Sequence, residues 1–221
     1  MQARSSQTNP GRQSRQQRRY GKTRDKILTA ARSVFKEKGL AAATVDEITE
    51  RADVGRGSLY YHFKDKDELI GELVEGILSE LTERMEVECA NRKSLDSMLD
   101  GIMGAHISFF SSRWEDFVLY YQGRADLTLD ESYDGLKKPF VRYLKATEKL
   151  VDSTLPEPIS DIKLRRLACA IAGFIAGYYS FASVTSLGQD VDKEFMSLRK
   201  AFVTGLARFA REALPESDVR W

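Results

Sequence analysis

Chemistry-bearing residues are scarce in this chain. Its 221 residues include only two histidines, His62 and His106, and two cysteines, Cys89 and Cys169. No nucleophile elbow, phosphate-binding loop or metal-ligand pair is present. Gly55-Arg56-Gly57 lacks the third glycine and the preceding strand of a dinucleotide fingerprint. An enzyme is therefore not expected, nor a cofactor or a metal. The cysteines lack metal-site spacing and read as small buried residues of a reduced cytoplasm rather than a disulfide. The longest apolar stretches fall short of a membrane span, and the N-terminus lacks a signal-peptide core, so no membrane partner is expected.

Charge is divided unevenly along the chain, although the net value is only +1. Residues 1–66 carry 15 Lys or Arg against 7 Asp or Glu, a balance of +8. The remainder carries 19 against 26, a balance of −7. A cationic head on an anionic body suits DNA binding, because phosphate contacts supply most non-specific affinity. Residues 1–22 hold Arg4, Arg12, Arg15, Arg18, Arg19 and Lys22 with no acidic residue. Too polar to bury a core, they are expected to form a disordered arm. That arm is either a solvated tail or a strap that follows the minor groove or phosphates.

The head carries helical patterning. From Thr23 to Phe35, the residues Ile27, Leu28, Ala31, Val34 and Phe35 recur at helical period, and Gly39 stands where a left-handed cap would end that helix. Thr44 and Glu47 have capping-box spacing, and the helix they open buries Val45, Ile48 and Ala52. Asp53-Val54-Gly55 makes a turn, since Asp and Gly tolerate left-handed backbone. A very short helix then spans Arg56 to His62. It cannot be stable alone, so its polar side chains are presented by a scaffold. This is helix-turn-helix spacing, with the second helix destined for the major groove.

On these residues the chain resembles the TetR family of bacterial repressors. The resemblance is close over residues 23–70, with TVDEITERADVGRGSLYYHFKDKDELI at its core, and continues beyond by helix order alone. Two positions depart from the family pattern: Asp53 replaces a usual Gly, and Gly55 a usual Ser that would cap the recognition helix. The resemblance implies an all-α fold of about nine helices. A DNA-binding domain over 23–66 would be joined by a long fourth helix to a ligand-binding and dimerisation bundle over 67–214, with a tail over 215–221. The implied function is a ligand-responsive, cytoplasmic, nucleoid-associated repressor of a palindromic operator in double-stranded DNA. A regulator without a small-molecule inducer is the alternative.

Leu59 and Phe63, one turn apart, should face inward. Arg56 is then the candidate for base readout, because its fork matches guanine O6 and N7. Gly57 leaves room for backbone or base. Ser58, Tyr60, Tyr61 and His62 reach phosphates or a thymine methyl. Thr44, Val45 and Gly55, with Lys66 at the start of the fourth helix, complete the expected interface.

In the body, Leu69, Leu73, Ile77, Leu81 and Met85 mark a helix over Lys66–Ala90, the natural lever from the head. His106, Phe109, Phe110, Trp114, Phe117, Tyr120, Tyr121, Tyr143, Phe174 and Tyr178 are candidates for an effector pocket, with Arg113 or Arg124 turning inward for an anion. The same aromatics at helical spacing also describe a plain core, and His106 a satisfied core histidine. The last two helices, over Asp161–Ser186 and Val191–Ala213, read as a homodimer surface. Small residues Ala168, Ala172, Gly173, Ala176 and Gly177 lie on the first, and Phe195, Leu198, Phe202, Leu206 and Phe209 on the second.

Overall fold

A computed structural model describes residues 15–126, 134–184 and 191–212, and these are wholly helical apart from turns. The order is α1 (Arg15–Ala42), α2 (Val45–Arg51), α3 (Arg56–His62), α4 (Lys66–Cys89), α5 (Leu95–Phe110), α6 (Trp114–Asp126), α7 (Asp134–Asp152), α8 (Asp161–Val184) and α9 (Val191–Arg211). Among the described residues no helix is long and apolar enough to cross a membrane. Residues 126–132 read in the sequence as an exposed acidic loop; Asp126 closes α6, and residues 127–133 lie outside the described residues.

The chain divides into two compact units, Met1–Leu69 and Ile70–Trp221, with the division inside α4. In the first, Ile27, Ala31, Val34 and Phe35 of α1 close over Ile48, Leu59 and Phe63. The α2 start is the expected capping box: Thr44 Oγ1 accepts from the Glu47 N–H, and the Glu47 carboxylate accepts from the Thr44 N–H at 3.1 Å. Lys38 pairs with that carboxylate and, with the Thr44 bonds, holds it down at a pKa of about 2. Asp53 adopts φ 52°, the left-handed turn its side chain tolerates.

One expectation is corrected at α1 and one is met. Residues 15–22 are helical, not disordered, because Arg and Gln are good helix formers continuing an established helix, and Tyr20 packs against the aromatic end of α3. Gly39 takes the expected positive φ of 77° with a non-helical ψ of 167°, so it ends the long helix as the sequence indicated, and a short separate turn carries the chain on to Ala42.

The second unit is built around α5. Eleven of its sixteen residues are buried, as befits a helix apolar on all sides. It packs against α6, α7, α8 and α9. Gly101 and Gly104 are notches in its surface: a Cβ at Gly101 would lie 2.4 Å from Arg92 Nε, and one at Gly104 would lie 2.9 Å from Arg199 Nη2. Both guanidiniums converge on the Asp100 carboxylate, Arg199 at 2.7 Å and Arg92 at 3.4 Å. Cys89 is buried, which pushes its thiol up to about 11, whereas Cys169 is exposed on the outer side of α8, contrary to expectation.

Candidate nucleic-acid interface and effector cavity

The short helix α3 starts at Gly55, which offers no side-chain cap, and ends by turning Phe63 into extended backbone. Leu59 and Phe63 are fully buried and anchor it. Its other face is left outward. Tyr60 is 54% and Tyr61 71% exposed, too open for core residues. Gly55, Arg56 and Gly57 are exposed, and a Cβ at either glycine would meet nothing of the protein. Ser58 and His62 are half-buried. Thr44 is exposed and Val45 half-buried at the start of α2.

Three features of this surface were not legible beforehand. First, the Arg56 guanidinium is paired side-on with Asp46 of α2: Nε donates to Oδ1 and Nη2 to Oδ2. This pairing raises the Arg56 pKa above its ordinary value. Second, Tyr20 from the basic first turns of α1 lies 4.2 Å from the His62 ring and 5.7 Å from Tyr61. Burial, and then the charge of Arg24, lowers the His62 pKa, so the ring favours its neutral form. Third, Lys66 Nζ donates to the Leu40 carbonyl at 2.9 Å and the Ala43 carbonyl at 3.1 Å. Of its three N–H groups, two brace the α1–α2 corner, and at most one is left for a phosphate.

The aromatic residues of the body pack mainly on one another. Phe109, Phe110, Phe117 and Tyr120 are buried, with Phe110 touching Phe109, Phe117, Tyr120 and Tyr179 at 5.1–6.4 Å between ring centres. Trp114 and Tyr121 lie at the surface against Phe117. Phe174, half-buried, stacks on Phe202 of α9 at 3.9 Å and lies near Tyr178. Arg113 does not turn into this cluster but lies over the Phe109 ring and pairs with Glu80 and the buried Asp116. The side chain of Arg124 lies outside the described residues.

His106 is a satisfied core histidine. Its Nδ1 lies 2.7 Å from the Ile102 carbonyl, which can only accept, so Nδ1 carries the hydrogen. Nε2 then accepts from the Tyr143 hydroxyl at 2.6 Å. Complete burial pushes the ring pKa down to about 4. Tyr143 also borders a cavity of about 170 Å³ between α4 and α7, walled by Leu78, Ser79, Thr82, Pro139 and the Arg142–Glu75 ion pair. Tyr143 alone of the expected pocket residues lines it.

On α8, Ala168, Ala172 and Ala176 face the subunit's own core, while Cys169, Gly173 and Gly177 lie on the more open side. On α9, Leu206 is buried, Phe202 and Phe209 are half-buried, and Leu198 is exposed; the side chain of Phe195 lies outside the described residues. Among the described residues no cluster of metal-ligating side chains occurs.

Residues 27–73 match the sequence profile of the bacterial regulatory proteins of the tetR family. The chain is 43% identical over 129 residues to the transcriptional repressor KstR2 of Mycobacterium tuberculosis, covering 57% of this chain and 59% of that one. It is 32% identical over 114 residues to the helix-turn-helix regulator TtgW of Pseudomonas putida, covering 50% of this chain and 78% of that one. The chain spans only 47% to 66% of the length of several other curated relatives and KstR2 proteins it matches. In fold it is similar to the regulator FadR of Bacillus subtilis, solved in complex with stearoyl-CoA, with a TM-score of 0.63, 21% identity and coverage of 83% of this chain and 97% of that one.

Proposed function

The chain belongs to the TetR family of bacterial regulatory proteins, and from that premise we propose that it is a dimeric, effector-controlled repressor of a palindromic DNA operator. The observation that carries this reading is α3. Two apolar anchors hold it, and Arg56, Tyr60 and Tyr61 stand outward from a head with a charge balance of +8. Seven residues read few base pairs, so specificity calls for two copies. Two heads then occupy successive major grooves about 34–36 Å apart or a wider interval. Arg56 reads a base, while Thr44, Val45, Gly55, Gly57, Ser58, Tyr60, Tyr61 and His62 hold backbone and fit the groove. The helical turns from Arg15 to Lys22 add phosphate contacts, positioned by Tyr20. The open faces of α8 and α9, with Gly173, Gly177, Leu198 and Phe202, form the dimer surface.

The effector in this reading is a lipophilic or aromatic small molecule. The complex of the similarly folded FadR with stearoyl-CoA supports a lipophilic class. The cavity beside Tyr143 is smaller than the roughly 300–1,000 Å³ of most small-molecule sites. Binding therefore separates α4 from α7 and repacks the aromatic cluster. Because α4 begins at Lys66, its displacement alters the head spacing, with a coupling of about 1–3 kcal/mol that operator DNA reciprocates. The tight packing of Phe109, Phe110, Phe117 and Tyr120 favours a second reading, in which a protein partner or no signal controls the same DNA-binding head.

Selecting genomic fragments with purified protein tests the first claim: a recurring palindrome is expected, and binding without sequence preference would refute it. Titrating the recovered operator complex with long-chain acyl-CoAs and with aromatic acids tests the second. Release by one class is expected, whereas operator affinity unaltered by either would leave the effector-free reading standing.

A further inference from the structure

Arg56 has five N–H donors in a rigid fork, and a side-on partner takes only Nε and one hydrogen of Nη2. Asp46 is that partner. Among the described residues, no protein acceptor meets Nη1. The end-on edge, made of Nη1 and the second hydrogen of Nη2, is therefore the one presented outward. That edge is the one whose geometry fits guanine O6 and N7 together.

The placement of Asp46 suits this work. It lies in the first turn of α2, where the capping box of Thr44 and Glu47 fixes the backbone and the helix dipole favours an acidic residue. Its own carbonyl accepts from the buried Thr49 hydroxyl at 3.0 Å, which locks the turn. The α3 start, by contrast, has no capping hydroxyl, because Gly55 stands there. The ion pair thus supplies from the side the orientation that the helix end does not supply itself. Both partners remain largely exposed, at 64% and 58%, so the pair adds little to folding and its consequence lies at the surface.

We infer that Asp46 is a specificity-determining positioning residue, which buttresses Arg56 side-on so that its free end-on edge reads a guanine in the major groove. A carboxylate this close to DNA otherwise only repels phosphates. Its removal should raise affinity for any duplex while lowering discrimination at one base pair. This rests on α3 being the base-reading helix.

The test uses full-length protein and a duplex recovered from a randomised pool by the wild type, together with single-base variants of it and a shuffled duplex. Wild type, Asp46→Asn, Asp46→Glu and Arg56→Ala are compared at two salt concentrations, with helicity checked by circular dichroism. Both Arg56→Ala and Asp46→Asn should lose about tenfold discrimination at the same guanine, the scale of one bidentate contact. Asp46→Asn should also bind the shuffled duplex more tightly than wild type, and Asp46→Glu should recover part of the discrimination. If the wild type recovers no preferred sequence, the base-reading assignment of α3 itself fails. If Arg56→Ala loses the guanine preference and Asp46→Asn keeps it, α3 reads DNA and the buttress is refuted. Tighter operator binding by Asp46→Asn with discrimination intact would make Asp46 a competitor of DNA and would equally overturn the inference. So would an Arg56→Ala variant that keeps the preference.

Discussion

Protonating the buried ring of His106 measures how firmly the core of the second unit excludes charge. The ring is wholly enclosed, with its Nδ1 hydrogen on the Ile102 carbonyl and Nε2 filled by the Tyr143 hydroxyl. Its pKa falls from 6.5 to about 4, chiefly through burial. Above pH 6.5 the ring is neutral in folded and unfolded chains alike, and pH has no leverage through it. Between 6.5 and 4 the unfolded chain takes up a proton that the folded one refuses, so stability falls as the pH drops. The whole interval corresponds to about 3 kcal/mol, of which about 2 kcal/mol is lost by pH 5. Urea unfolding at pH 7 and pH 5, at one protein concentration, reads this in the wild type and in His106→Leu. The variant starts less stable because the Tyr143 hydroxyl loses its acceptor, but only the pH dependence is compared. Wild type should lose about 2 kcal/mol more than the variant over that interval. Equal losses would mean that the ring is hydrated or charged in the fold, and the closed core would be refuted.

Three further outcomes are expected. Lys66→Met should lower stability by about 1–3 kcal/mol in the same unfolding assay, because two backbone carbonyls lose a charged donor; unchanged stability with weaker DNA binding would make Lys66 a phosphate contact instead. On the proposed dimer surface, Leu198→Glu should turn a dimeric wild type into a monomer in sedimentation without loss of helicity; a monomeric wild type would refute the dimer, and a variant that stays dimeric would move the interface elsewhere. Deleting residues 1–19 removes five arginines, so DNA binding should weaken and its logarithmic salt slope flatten by up to about 4.5. An unchanged slope would make the arm a bystander.

The head was legible because its elements are marked locally. Thr44 and Glu47 announce a helix start, Asp53 tolerates the left-handed turn, and Leu59 with Phe63 state which side of seven residues is buried. The body was legible as helices for the same reason: α4 and α8 begin where the sequence predicted. What escaped was pairing across elements. Nothing in the spacing of Asp46 and Arg56, or of Lys66 and Leu40, says that they meet. Tyr20, in the helical stretch 15–22, meets the end of α3, a contact between segments some forty residues apart in sequence. Nor does periodicity separate a pocket wall from a core. Phe110 and Tyr120 have the same pattern in either case, and only the packing of their rings places them on each other.

The two glycine notches in α5 have a consequence for assembly. Arg199 lies over Gly104 and donates to both the carbonyl and the carboxylate of Asp100, so it acts as a key in a slot. Successive helical residues point about 100° apart, and a key at one position therefore indexes the whole rod around its axis. With Arg199 seated, Leu198 stands exposed and Phe202 stacks on Phe174 of α8; a Cβ at position 104 would meet the guanidinium at 2.9 Å and push it aside. A single methyl group on α5 would then shift the setting of Leu198 on α9, with no substitution on α9 itself.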